Sequence, residues 1–227
     1  MFGVGELSGV GTPLSPNRIG GENFIRHIGN DKLIYNFKSG SGTTVKDRSR
    51  EGNDGTFGAT TAAPTWKRNA LYFDGGDHVK LTGYSHGITT GGLTLCFSVD
   101  SLAAGDIIYG QETVLFYTYG LDDDSKISFS NKVLTDDVSS YKPLIYQITR
   151  DNSGNLECYV NGKASGKAQS LTTDYTYDGT SKAKLGASYL PSVNIVSTMY
   201  SFRMMNKGLS RIEAQQEYLS QKFRGNN

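Results

Sequence analysis

Asp122, Asp123 and Asp124 follow closely on Tyr117 and Tyr119, the chain's densest grouping of side chains able to hold a ligand. Sugars are held by stacking on aromatic faces and by hydrogen bonds to carboxylates and amides. Tyr109 and Phe116 stand nearby, and strand alternation puts Tyr117 and Tyr119 on the face opposite Phe116. One of those faces is core and the other a groove or interface. Tyr117, Tyr119, Asp122, Asp123 and Asp124 are therefore the candidate ligand-binding residues. The same aspartates, with Asp136 and Asp137, offer hard oxygen ligands, which makes calcium (Ca2+) the candidate cation. No EF-hand spacing accompanies them, and a solvated acidic loop is the plain alternative. No cofactor is required by any motif.

Other chemistries lack their residues. Retaining hydrolysis of a glycosidic bond needs two carboxylates about 5 Å apart, and a strand would carry them at alternate positions. Glu6, Glu22, Glu51, Glu112, Glu157, Glu213 and Glu217 are scattered, and Asp100 and Asp106 flank a loop. The chain is expected not to be an enzyme. His27, His78 and His86 have no His-x-x-x-His spacing, and the two cysteines form no Cys-x-x-Cys. Each histidine is read as solvated or hydrogen-bonded. Cys96 shares a face with Thr94 and Ser98, whereas Cys158 shares one with Leu156 and Val160. One thiol is expected to point out of the core and the other into it. A disulfide needs Cβ atoms within about 4.5 Å, so two free thiols are expected.

These residues need a frame, and the composition describes one. The chain has 227 residues, enough for one large β-sandwich or two small domains. Its 23 basic and 22 acidic residues leave a net charge of +1, which gives no field to steer nucleic acid or an anionic membrane. The 28 glycines exceed the roughly 7% of average proteins and suit many tight turns. No apolar run approaches the ~18 residues of a membrane span. The start of the chain shows no basic-then-apolar leader. Cytosolic retention, or release by assembly or lysis, fits that pattern.

Residues 1–31 differ from the rest. The first 21 are glycine-rich, carry Pro13 and Pro16, and follow no helical or strand period. A short apolar patch, Phe24-Ile25-Arg26-His27-Ile28, comes next. The segment reads either as a frayed terminus or as an arm that orders against a partner. Phe2, Val4, Leu7, Val10 and Leu14 are more apolar than a linker needs, and residues 1–31 are assigned as an extended anchoring arm. From Leu33 onward β signals are nearly continuous. Strands are expected over 33–37, 93–102, 106–110, 113–119, 126–129, 144–150, 156–160, 183–186 and 193–204. Residues 70–81 read as a hairpin around Asp74-Gly75-Gly76-Asp77, with Leu71, Phe73, Val79 and Leu81 facing one way. Asn161-Gly162 is the strongest short hairpin signal. A terminal helix starts at the capping box Ser210 and Glu213, with Leu209 and Ala214 as a staple. Ile212, Leu219 and Phe223 form its expected apolar stripe. Phe73, Val79, Leu95, Phe97, Ile148, Val160 and Phe202 are the expected core.

Five segments in order resemble the laminin-G-like jelly rolls of the concanavalin A-like lectin/glucanase superfamily. They are residues 33–47, the turn Gly52-Asn53-Asp54-Gly55-Thr56, the pair 70–81, the hairpin 148–163, and the closing strand and helix from Met199. The resemblance implies an all-β, concanavalin A-like jelly-roll β-sandwich over residues 32–227, with a short C-terminal helix and an extended N-terminal arm. It spans lectins, carbohydrate-binding modules, hydrolases, adhesion domains and viral fibre modules, so fold alone does not decide function. Several related domains bind calcium at a loop rim, which adds to the case for Asp122–Asp124.

The expected function is a non-enzymatic structural and recognition module of a virus particle, most simply a bacteriophage head decoration, fibre or tail component that touches host glycans. The alternative is a secreted or surface lectin-like protein. Expected partners are other virion proteins through the arm, a glycan, and copies of the same chain. No nucleic acid and no membrane insertion are expected. The expected location is the virion, with the extracellular space or cell surface as the alternative.

Overall fold

Period-two apolar residues bounded by Gly, Asn and Asp turns leave the chain one way to bury them, as strands of two facing sheets. The computed structural model describes residues 30–38, 40–81, 87–88, 92–103, 105–111, 118–122, 126–129, 132–133, 144–170, 175–176, 183–187 and 194–222. The expected arm, including Phe24-Ile28, lies outside the described residues.

The strands are Asp31–Tyr35 (β1), Thr44–Val45 (β2), Gly55–Phe57 (β3), Thr65–Lys67 (β4), Ala70–Asp74 (β5), Val79–Leu81 (β6), Gly87–Ile88 (β7), Leu93–Val99 (β8) and Ile107–Gln111 (β9). Then come Thr118–Asp122 (β10), Lys126–Phe129 (β11), Lys132–Val133 (β12), Leu144–Arg150 (β13), Asn155–Val160 (β14), Lys163–Ser170 (β15), Tyr175–Thr176 (β16), Ala183–Leu185 (β17) and Val196–Met205 (β18). The helix Arg211–Lys222 (α1) follows. The first 8-stranded sheet runs β15-β14-β13-β8-β18-β5-β4, with β1 also on β18. The second 8-stranded sheet runs β12-β11-β10-β9-β17-β6-β3-β2. The fold is the expected all-β sandwich with a C-terminal helix.

Between the sheets lies one apolar core that contains all seven expected residues, from Phe73 to Phe202. Phe97 stacks on Tyr146 and Phe202 on Tyr109, with ring centroids 4.9 and 5.9 Å apart. Gly55 sits where the turn meets this core: a Cβ there would come within 2.5 Å of Val79 and 2.9 Å of the Tyr35 hydroxyl. Tyr35 in turn donates to the Asn53 carbonyl at 2.7 Å. The turn is braced by the Asp47 carboxylate, which accepts from the Ile34, Ser49 and Asn53 amides.

Two expectations about local structure are corrected. Residues 70–81 are not a paired hairpin. Strand β5 pairs with β18 and β4, whereas β6 pairs with β17 and β3 in the other sheet. The turn is a corner that crosses the sandwich, closed by the Asp74 amide donating to Asp77 at 2.9 Å. Leu71 and Phe73 thereby meet Val79 and Leu81 across the core rather than along one face. By contrast β14 and β15 do form the expected hairpin, with Asn161 at φ 49° and Gly162 at φ 76° as a primed turn requires.

The second correction concerns α1. Its capping box is present: the Ser210 amide donates to Glu213, and the Glu213 amide donates back to the Ser210 hydroxyl at 3.4 Å. Burial pushes the Glu213 carboxyl up, but hydrogen bonds from Lys207 and Ser210 outweigh this and hold it at about 2. The expected apolar stripe, however, faces outward. Ile212 is 70% exposed and Leu219 39%, and Phe223 lies outside the described residues. The inward side carries Ala214, Glu217 and Gln221. The reason is the surface beneath. Arg203 of β18 points at the helix, and a buried guanidinium requires a carboxylate more than α1 requires apolar contact. Glu217 meets it at 3.0 Å and Asp31 at 2.6 Å.

Both cysteines are free and buried, on opposite faces as expected. Cys158 is in the central core, while Cys96 lies under α1 with Tyr159, Met205, Leu209 and Ala214. Burial pushes both thiols up, keeping them neutral.

Candidate functional site

The expected ligand residues are placed only in part. Tyr117, Asp123 and Asp124 lie outside the described residues, as do His27, His86, Asp136 and Asp137. Tyr119 and Asp122 belong to β10, opposite Ser128 and Lys126 of β11, with a register shift between them. Among the described residues no group of three or more His, Cys, Asp or Glu is placed to hold a metal ion. No described helix is long and apolar enough to cross a membrane.

Several of the described carboxylates have structural partners. Glu51 pairs with Lys32, and Glu213 caps α1 while pairing with Lys207. Glu157 accepts the Tyr159 hydroxyl. Asp106 accepts the Ala103 and Val196 amides, and burial holds its carboxyl above the usual range despite them. These carboxylates do not form a pair across a common groove.

A different surface draws aromatic and polar groups together. The outer face of the first sheet is divided. Under α1 it is buried, but where β18 pairs with β5 it carries exposed Val196 and Tyr200 and half-buried Tyr72 and Thr198. There Tyr72 of β5 sits between Thr65 of β4 and Thr198 of β18 in the ladder. Two residues further along β18 stands Tyr200, 37% exposed. Met199 pairs with Val99 and Ser201 with Ser98, so Tyr200 is the extra residue of a bulge. Bulges re-aim side chains in this way. Diagonal neighbours of this kind lie about 7–8 Å apart, within reach of aromatic side chains.

Polar groups flank both rings. The Lys67 ammonium lies 5.4 Å from the centre of the Tyr72 ring. The Tyr200 hydroxyl donates to Asp100. Burial, and then the Asp100 carboxylate, push the Tyr200 phenol up to about 12, so it remains a neutral donor. Val196, 52% exposed, extends the apolar part of the face. Two rings, one cation and one carboxylate on a shallow face can stack a sugar ring and hydrogen-bond its hydroxyls. Strand alternation alone places Tyr72 opposite Leu71 and Phe73, which is the signal available for it. Nothing local links Tyr72 to Tyr200. Trp66, on the edge strand β4, is not part of this face: its indole donates to the Gly42 carbonyl at 2.8 Å and packs on Phe37 and Phe57.

Comparison with known proteins bears on the architecture. No family model matches the chain, and no curated protein sequence matches it. Solved structures do. A Trypanosoma rangeli sialidase bound to 2,3-difluorosialic acid superposes with a TM-score of 0.60 at 18% identity, covering 84% of this chain and 33% of that one. Domain 4 of AbnA, a GH43 extracellular arabinanase from Geobacillus stearothermophilus in complex with arabinotriose, gives 0.58 at 12% identity, covering 83% and 98%. The ligand-binding domain of botulinum neurotoxin serotype D with N-acetylneuraminic acid gives 0.58 at 12%, covering 86% and 52%. The chain thus spans about a third of the sialidase it resembles. At these identities the likeness establishes the β-sandwich fold. Its neighbours include both an enzyme and binding domains.

Proposed function

We propose that this protein is a non-enzymatic recognition module that binds glycans on the tyrosine face of its first sheet. The observation that carries this reading is the diagonal pair of half-buried Tyr72 and exposed Tyr200, flanked by Lys67 and Asp100. The solved neighbours bound to sialic acid derivatives or arabinotriose support the same class of ligand. A glycan array probed with the full chain is expected to retain a defined set of saccharides. Tyr200→Ala and Tyr72→Ala are each expected to weaken that binding about tenfold, the loss of one stacking contact. Tyr200→Phe keeps the ring and is expected to bind nearly as the wild type does. Absence of any retained saccharide, or equal binding by both alanine variants, overturns the reading.

We further propose that the module belongs to a virus particle, anchored by residues 1–29. The spaced apolar residues of that segment and its glycines and prolines support a docking arm, whose ordering entropy interface burial would offset. Deleting residues 1–29 is expected to leave the melting temperature nearly unchanged and to abolish incorporation into particles. Truncated chains that still assemble would overturn the arm. Purified particles that lack the protein would favour the alternative, a secreted or surface lectin-like protein.

A further inference from the structure

The tyrosine face of the first sheet has a direction. Thr65 of β4 pairs with Tyr72 of β5, and Tyr72 pairs with Thr198 of β18. Asp100, just past the end of β8, donates its amide to the Thr198 carbonyl at 3.0 Å and extends the same row. Thr65, Tyr72, Thr198 and Asp100 therefore stand side by side across four neighbouring strands. Leu71, Phe73, Val99 and Met199 lie in the core and Trp66 packs against it, so the residues that alternate with them point outward. Three spacings of about 4.8 Å between strands make the row about 14 Å long. All four of its residues are exposed or half-buried.

The other direction offers less. Along β5 the open stretch holds two outward residues, Tyr72 and Asp74, because Ala70 is buried and the strand ends at Asp74. Along β18 it runs from Val196 to Tyr200 and stops at buried Ser201. That line ends in an apolar side chain and carries one hydroxyl group between Val196 and the Tyr200 ring. The row across the strands offers hydroxyl, ring, hydroxyl and carboxylate in turn. The Lys67 ammonium, on the same face of β4 as Thr65, adds a donor over the Tyr72 ring. At the far end Asp100 accepts the Tyr200 hydroxyl. A carboxylate has about four acceptor positions, so the half-buried Asp100 can also accept from a ligand. The bulge sets the Tyr200 ring beside this end.

We propose that this face takes a linear oligosaccharide with three units in contact, laid across β4, β5, β18 and the end of β8. Each unit of such a chain advances by about one strand spacing, so three units match the row from Thr65 to Asp100. One end lies over Thr65 and Lys67, the middle on Tyr72 and Thr198, and the other end against Tyr200 and Asp100. This inference rests on the glycan reading above and adds to it the length and direction of the ligand.

The test is a calorimetric titration of the full chain with cello-, xylo-, manno- and arabino-oligosaccharides of graded length, from one unit to five. In at least one series affinity is expected to rise about tenfold or more from one unit to three, and to change little beyond three. Thr65→Ala is expected to weaken the trisaccharide about threefold to tenfold, the value of one hydrogen bond, and to leave the disaccharide unchanged. Asp100→Ala is expected to weaken both. The two variants act at opposite ends of the row, so in the double variant their effects on the trisaccharide are expected to multiply. Both single variants should melt with the wild type, since neither side chain belongs to the core, and Lys163→Gln, on β15, should leave binding unchanged. A single unit that binds as tightly as three overturns the proposal. So does a further tenfold gain beyond three units, or a Thr65→Ala effect equal at every length. If no series binds but saccharides on the array still depend on Tyr72 and Tyr200, the row is overturned and the glycan reading stands. If no saccharide is retained on the array either, both fall.

Discussion

Arg203→Met is expected to lower the free energy of unfolding by about 3–5 kcal/mol, the usual cost of removing one partner from a buried ion pair. Arg203 and Glu217 are fully buried, and Asp31 retains only 9% side-chain exposure. The guanidinium donates from Nε and Nη2 to Asp31 at 2.8 and 2.6 Å, and Nη1 faces Glu217 at 3.0 Å. Burial works against its charge, but Glu217 and Asp31 outweigh that and push its pKa up. Methionine fills similar space and leaves two carboxylates without their shared cation. Adding Asp31→Asn and Glu217→Gln should restore much of the loss, since the uncompensated charges are then gone. Urea unfolding followed by fluorescence measures both variants. A loss below about 1 kcal/mol for the single variant would mean that the triad does not dock α1 and β1.

Phe97→Ala is expected to cost about 3–5 kcal/mol, from lost transfer free energy plus a residual cavity. Phe97 is fully buried, and its strand lies between Tyr146 of β13 and Phe202 of β18 in the ladder. Its ring stacks on Tyr146 at an interplanar angle of 28°. Removing it therefore deletes both inter-sheet filling and an aromatic pair at the centre of the first sheet. For a chain of this size the melting temperature should fall by roughly 6–20 °C, at about 2–4 °C per kcal/mol. Phe97→Leu refills part of the cavity and should lose less. Thermal denaturation of the three proteins checks the order. A Phe97→Ala protein that melts with the wild type would contradict the position assigned to this ring.

The class of fold could be read from the chain because it depends on local pattern. Alternating apolar residues such as Leu95, Phe97 and Val99 must face one way on a strand, and Asn161-Gly162 adopts a turn that few other pairs adopt. The capping box at Ser210 and Glu213 is likewise complete within four residues. What depends on partners distant in sequence was not readable. Strands β5 and β6 look like a hairpin, but sheet membership is set by what each strand pairs with elsewhere. The outward turn of Ile212 and Leu219 follows from Arg203, which α1 meets only after folding. Asp31 and Arg203 are 172 residues apart. The proposed binding face shares this origin. Tyr72 meets the β18 stretch that carries Tyr200 only through an antiparallel register between strands more than a hundred residues apart. Periodicity tells which way each side chain points. Only the pairing of the sheets decides which side chains stand next to one another, because that choice minimises the exposed apolar area of the whole chain rather than of any one segment.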